Sequence, residues 1–138
     1  MRVRRAVLDA IVAHARRESP NECCGLLVGD GHAVVEAVAA TNVADEPLRR
    51  YEVSPVEHLA QIKRCRAEST EGKPRDIVGA YHSHPRSLAQ PSPTDLEQAC
   101  QNFLFVIAGP VREAEDVPVR GYRLSRSQFE EVDLVAVD

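Results

Sequence analysis

Two histidines one residue apart, His82 and His84, close an apolar run, Ile77-Val78-Gly79-Ala80-Tyr81. That run has the composition of a β-strand. Side chains at i and i+2 of a strand share a face, so the two imidazoles are expected to aim together while Tyr81 and Ser83 aim away. Pro85 lacks a backbone donor and ends the ladder. Farther on, Ser92-Pro93-Thr94-Asp95 reads as a helix start, with Ser92 at the N-cap, Pro93 at the first helical position and Asp95 in the first turn. A short loop can fold that turn back over the strand end. Two imidazoles and a carboxylate would then converge with one coordination position open, which is the ligand set of a catalytic zinc with water in the fourth place.

Each piece alone has a plainer reading. A buried or solvated histidine is commoner than a ligand. Ser-Pro-x-acid occurs three times, at 19–22, 54–57 and 92–95, and the copy at Ser54 is an ordinary helix cap. What lifts the third copy is the His-x-His-Pro just upstream of it.

On these residues the chain resembles the JAMM (MPN+) zinc metallo-isopeptidases. The likeness lies in His82-x-His84, seven residues, then Ser92-x-x-Asp95, together with the upstream Glu22. Asn21-Glu22-Cys23-Cys24-Gly25-Leu26-Leu27, Tyr81-His82-Ser83-His84-Pro85 and Pro91-Ser92-Pro93-Thr94-Asp95-Leu96 are similar to the short bacterial branch, which acts on ubiquitin-like sulfur-carrier proteins. The resemblance runs over roughly residues 1 to 125. It implies an MPN/JAB-like (cytidine-deaminase-like) α/β, or α+β, fold: a curved mixed β-sheet flanked by helices. It also implies one Zn2+ per chain, held by His82, His84 and Asp95 with water as the fourth ligand. Glu22 is then the catalytic base against that water, and Ser92 is the hydroxyl that donates to the oxyanion. Without the motif, Glu22 would be read as a surface glutamate after a turn. The implied reaction is hydrolysis of the amide after the C-terminal Gly-Gly of a ubiquitin-like or sulfur-carrier protein. It would remove an extension or a conjugated amino acid such as cysteine. Some relatives of this kind lose ligands and serve only as assembly subunits, so the alternative is a non-catalytic MPN-type scaffold. Every ligand position is filled here, which favours the metallopeptidase.

Composition narrows the classes further. The 138 residues suit one domain, taken as 1–138, and 43% apolar content is enough for a core built of Val, Leu, Ile and Ala. Net charge is −4 with no long basic run, which argues against a nucleic-acid partner. No run reaches about 18 apolar residues, so no membrane span is expected. Residues 1 to 17 lack the apolar centre of a secretory signal. Cys23, Cys24, Cys65 and Cys100 show no Cys-x-x-Cys pairing, which predicts free core thiols and a reducing cytoplasmic setting, with Cys23 or Cys24 near the metal.

The elements that must position the site follow from periodicity and punctuation. Val7, Ile11 and Ala15 predict a helix over 4–17, and strands are predicted at 23–29 and 32–40 around an Asp30-Gly31 hairpin turn. A polar loop at 41–50 leads to a short strand, Arg49–Val53. A second helix runs from the Ser54 cap to about Ser69, with Val56, Leu59, Ile62 and Cys65 near one stripe. After the histidine strand come a helix from Pro93 to about Gln101, a central strand over 103–108, a weak strand over 119–124 and a last strand from Phe129 to Val137. His32 and His58 are read as surface residues.

Overall fold

Residues 1–93, 95 and 103–138 are described by the computed structural model. Its elements are β1 (Arg2–Arg4), α1 (Arg5–Glu18), β2 (Cys24–Gly29), β3 (Val34–Ala40), α2 (Pro55–Glu68), β4 (Asp76–Ser83), β5 (Leu104–Ala108), β6 (Val119–Ser125), β7 (Gln128–Val132) and β8 (Val135–Val137). The strands form one sheet in the order β7-β6-β5-β4-β2-β3-β1-β8. The histidine strand β4 lies inside it, antiparallel to β2 and parallel to β5.

The expected single strand from Phe129 to Val137 is corrected to two, β7 and β8, which occupy opposite edges of the sheet. Val132 and Val135 can be no more than about 11 Å apart along the chain. A flat eight-stranded sheet would be about 34 Å wide at about 4.8 Å per strand. The sheet therefore curls until its edges approach, and Asp133-Leu134 crosses the seam. Leu134 packs at Gly121, where an added Cβ would stand 2.6 Å from its Cδ2.

α1 touches strands from both halves of the sheet, β1, β3, β4, β5 and β8, so it fills the concave side. Its Val7, Ile11 and Ala15 pack against Leu27, Tyr81, Leu104 and Val106, all buried. Burial of each large aliphatic here contributes about 1.5–3 kcal/mol. Registration sorts the β4 residues by face. Tyr81 pairs with Gly25 and turns towards α1, whereas His82 pairs with Cys24 and Ile107 and turns outwards. Gly25 is required by this packing: a Cβ there would sit 2.3 Å from the Tyr81 ring.

α2 begins where the Ser54 side chain accepts from the Glu57 amide, but its expected apolar stripe is only partly covered. Val56 and Leu59 are 78% and 52% exposed, and Cys65 is the helix's one buried residue. The expected strand at 32–40 begins at Val34 instead. Asp30 Oδ1 accepts from the His32 and Ala33 amides and, with Gly31 at φ 91°, makes the turn longer than two residues. Arg49–Val53 is not a strand. Only Val53 makes an isolated bridge, to Asn42. β1 was not expected, because three residues carry too little periodicity to read. Pro93 and Asp95 are helical, and the rest of the helix expected to about Gln101, with Cys100, lies outside the described residues. Among the described residues, no helix is long and apolar enough to cross a membrane.

Candidate metal centre

His82 stands near the end of β4 and is 1% exposed. His84 lies just past the strand, where its amide donates to the Ala108 carbonyl at 2.8 Å. Gly109 allows this close approach, because a Cβ there would be 2.2 Å from the His84 carbonyl oxygen. The imidazole Nε2 atoms meet at 3.1 Å. Asp95 faces both, with Oδ1 3.1 Å from His82 Nε2 and Oδ2 3.2 Å from His84 Nε2. Asp95 is aimed by a reciprocal cap: the Ser92 amide donates to Asp95 Oδ2 at 2.7 Å, and the Asp95 amide donates to Ser92 Oγ at 3.1 Å. Among the described residues, Ser92 Oγ accepts one bond and keeps its own proton to give.

Glu22 joins from the segment between α1 and β2. One carboxylate oxygen and a ring nitrogen from each of His82 and His84 lie within 4.8 Å of one another. Ser83, on the opposite face from the histidines, splices this segment to β4. Its amide donates to the Cys23 carbonyl at 3.1 Å, and its hydroxyl accepts from the Cys23 amide at 2.8 Å. Tyr51 covers the outer side of His82, with rings stacked at 4.1 Å and 17°.

Among the described residues, the hydrogen bonds of this cluster leave one buried ring nitrogen unmet. His84 Nδ1 lies 3.0 Å from the Leu88 carbonyl and must donate to it, which leaves Nε2 of the neutral ring as a lone pair. That lone pair faces a carboxylate oxygen and a second imidazole nitrogen. His82 Nδ1, buried, has no hydrogen-bond partner. With the His82 proton on Nδ1, both Nε2 lone pairs and an Asp95 oxygen are free to share one cation. Donor atoms on a tetrahedral ion with bonds of about 2.0–2.1 Å stand about 3.3 Å apart, close to the spacing seen here. The donor set therefore fits a metal ion, and the second nitrogen of His84 is already anchored as a metal-bound imidazole requires.

The charges agree. Burial pushes Glu22 up to about 7, with the nearby Asp95 adding to the rise and His84 opposing it. Burial would raise Asp95 too, but its bonds with His82 and His84 outweigh that and hold it well below the usual carboxylate range. Burial lowers His82. In His84 burial also works downwards, and Asp95 beside it turns the net shift upwards. Two buried carboxylates at one point thus favour a proton or a cation among them.

Cys24 pairs with His82 across the ladder, yet both it and Cys23 are protonated core thiols: burial pushes Cys23 up to about 11 and Cys24 to about 12. Arg49 and Arg50 are exposed. Sequence reasoning missed Ser83, Tyr51 and Leu88. Ser83 had a readable signal, since a hydroxyl between two histidines on a buried strand must find a partner. Tyr51 and the Leu88 carbonyl had none.

The family profile described as prokaryotic homologs of the JAB domain matches residues 4–124. The desampylase of Haloferax volcanii is 39% identical over 109 residues, covering 74% of this chain and 75% of that protein. The CysO-cysteine peptidase of Mycobacterium tuberculosis is 32% identical over 124 residues, covering 88% and 81%. A solved structure described as a JAMM metalloprotease-like zinc site in the proteasome and signalosome superposes with a TM-score of 0.62 at 21% identity, covering 100% of this chain and 98% of that one.

Proposed function

This chain belongs to the family of prokaryotic homologues of the JAB domain, and from that premise we propose that it is a zinc peptidase acting at the C-terminal Gly-Gly of a ubiquitin-like sulfur-carrier protein. The bond hydrolysed is the amide after those glycines, and the group released is a C-terminal extension or a conjugated amino acid such as cysteine. The observation that carries the reading is the convergence of His82 Nε2, His84 Nε2 and the Asp95 carboxylate at 3.1–3.2 Å.

In this reading His82, His84 and Asp95 hold the zinc and Glu22 does not. Of the two carboxylates, Asp95 is the one at ligand–ligand spacing from both rings. Zinc, when bound, lowers the pKa of a coordinated water to roughly 7 and polarises a carbonyl. Glu22, close by, takes a proton from the attacking water and passes it to the leaving amine. The Ser92 hydroxyl, whose proton is uncommitted among the described residues, donates to the oxygen that gains charge in the tetrahedral state. Leu88 keeps His84 in the tautomer that leaves Nε2 free, and Tyr51 keeps bulk water off His82. Ser92 has no base at its hydroxyl among its described contacts, so water and not serine is the nucleophile.

The test is incubation of the zinc-loaded protein with carriers that bear a Gly-Gly-cysteine or a Gly-Gly-peptide end, read by intact mass. The expected product is a carrier shortened to Gly-Gly, and a chelator abolishes it. Chelator-insensitive cleavage overturns the metal mechanism. No cleavage of any Gly-Gly-tailed carrier by protein that holds zinc leaves the scaffold reading in its place.

A further inference from the structure

We propose that Asn42 is a positioning residue for this reaction, fixing Glu22 and Tyr51 on either side of the metal-ligating histidines; the proposal rests on the role given to Glu22 above. Glu22 lies in a segment without regular structure between α1 and β2, so no ladder sets its backbone. The loop between β3 and α2 does so instead. The Glu22 amide donates to the Pro47 carbonyl at 2.7 Å, and the Glu22 carbonyl accepts from Asn42 Nδ2 at 2.9 Å.

The same amide group grips both neighbours of Tyr51. Asn42 Nδ2 also donates to the Arg50 carbonyl at 3.0 Å, and Asn42 Oδ1 accepts from the Glu52 amide at 3.1 Å. Oδ1 accepts once more, from the Ala44 amide at 3.0 Å. Both amide protons and both lone pairs are thus in use. The orientation is unambiguous, because a flipped amide would set its oxygen against two carbonyls and its NH2 against two N–H groups. One half-buried side chain therefore ties the backbone of the proton carrier to the backbone that aims the ring stacked on His82.

Chemistry narrows the residue to asparagine. Aspartate has the shape and keeps both acceptor bonds, but it cannot donate to Glu22 or Arg50 and presents negative charge to two carbonyls. Serine has one donor, and glutamine places the amide one bond too far out. Asn42→Asp thus leaves the turn at Ala44 and Glu52 in place while releasing Glu22.

The experiment is Asn42→Asp, alone and combined with Glu22→Gln, in zinc-loaded protein. The single variant is expected to hold wild-type zinc and to keep KM within about twofold, while kcat falls about 10- to 100-fold through loss of alignment. Added to Glu22→Gln it lowers kcat by no more than about twofold, since Tyr51 is still held through the Glu52 amide and the main effect runs through that carboxylate. Amide hydrogen exchange gives a readout that needs no substrate: the Glu22 amide is expected to exchange at least about 10-fold faster while β5 amides keep their rates. Unchanged kcat in the single variant, an equal further loss in the Glu22→Gln background, or unchanged exchange at Glu22 overturns the proposal. Faster exchange throughout the sheet also overturns it, because Asn42 would then hold the fold and not the site. If the wild-type protein turns over no substrate, the role of Glu22 falls, and exchange at its amide still decides whether Asn42 holds that backbone.

Discussion

His14 and His82 are both buried imidazoles on either side of the same strand, and they teach different lessons. His14, on α1, has Nδ1 2.7 Å from the Tyr81 hydroxyl and Nε2 3.9 Å from a Glu18 oxygen. Burial, with Arg17 nearby, lowers its pKa and keeps it neutral. One proton per contact satisfies that site. His82 is the residue next to Tyr81 and points the other way. Its Nε2 meets a second imidazole and a carboxylate, and its Nδ1 has no partner among the described residues. Burial alone does not make a functional histidine. Convergence of two imidazoles and a carboxylate on one point does.

The largest test of that contrast is His84→Ala. Loss of one of three ligands should take bound zinc from about one per chain to near none and turnover to background. Zinc by elemental analysis and cleavage by mass give the result, and full zinc occupancy would break the ligand assignment. Next in size is Glu22→Gln. Zinc stays, while turnover falls about 10²- to 10⁴-fold for loss of the proton carrier. Normal turnover by this variant would remove Glu22 from the mechanism.

On the other face, Tyr81→Phe strands His14 Nδ1 in the core. It should cost about 1–3 kcal/mol of stability, read by denaturant unfolding of the metal-free protein, with zinc content unchanged. A large loss of zinc there would merge two sites that the contrast keeps apart. The smallest effect belongs to the surface. Arg64, 2.9 Å from Glu36 and 3.2 Å from Glu68, is partly solvated, and Arg64→Ala should change stability by no more than about 1 kcal/mol. A larger loss would mean that α2 depends on this pair more than on its packing.

Much of the site was legible because the governing rules are short-range. The two-residue strand period is enough to put His82 and His84 on one face, and the Ser92-x-x-Asp95 spacing is enough to make a reciprocal cap. Helix positions followed from the same kind of signal: Ser54 caps α2, and Val7, Ile11 and Ala15 line the buried side of α1. The failures were of another kind. Val56 and Leu59 carry the right spacing for a covered stripe and remain exposed, because α2 lies on the convex side of the sheet, where little packs over it. The stretch 128–137 alternates like one strand, and nothing within it says that its halves serve opposite edges.

Residue order alone determined the types of donor, their parity along β4, the cap that aims Asp95 and the family to which the motif belongs. Tertiary structure alone decided that the sheet curls until β7 and β8 nearly meet, that Tyr51 stacks on His82, and that Asn42 reaches Glu22 across 20 residues of chain. The division has a physical reason. Periodicity and capping act within a few residues, where the backbone's own geometry is the constraint. Convergence of distant side chains depends on how the whole sheet closes around α1, a property of the summed packing and not of any one segment.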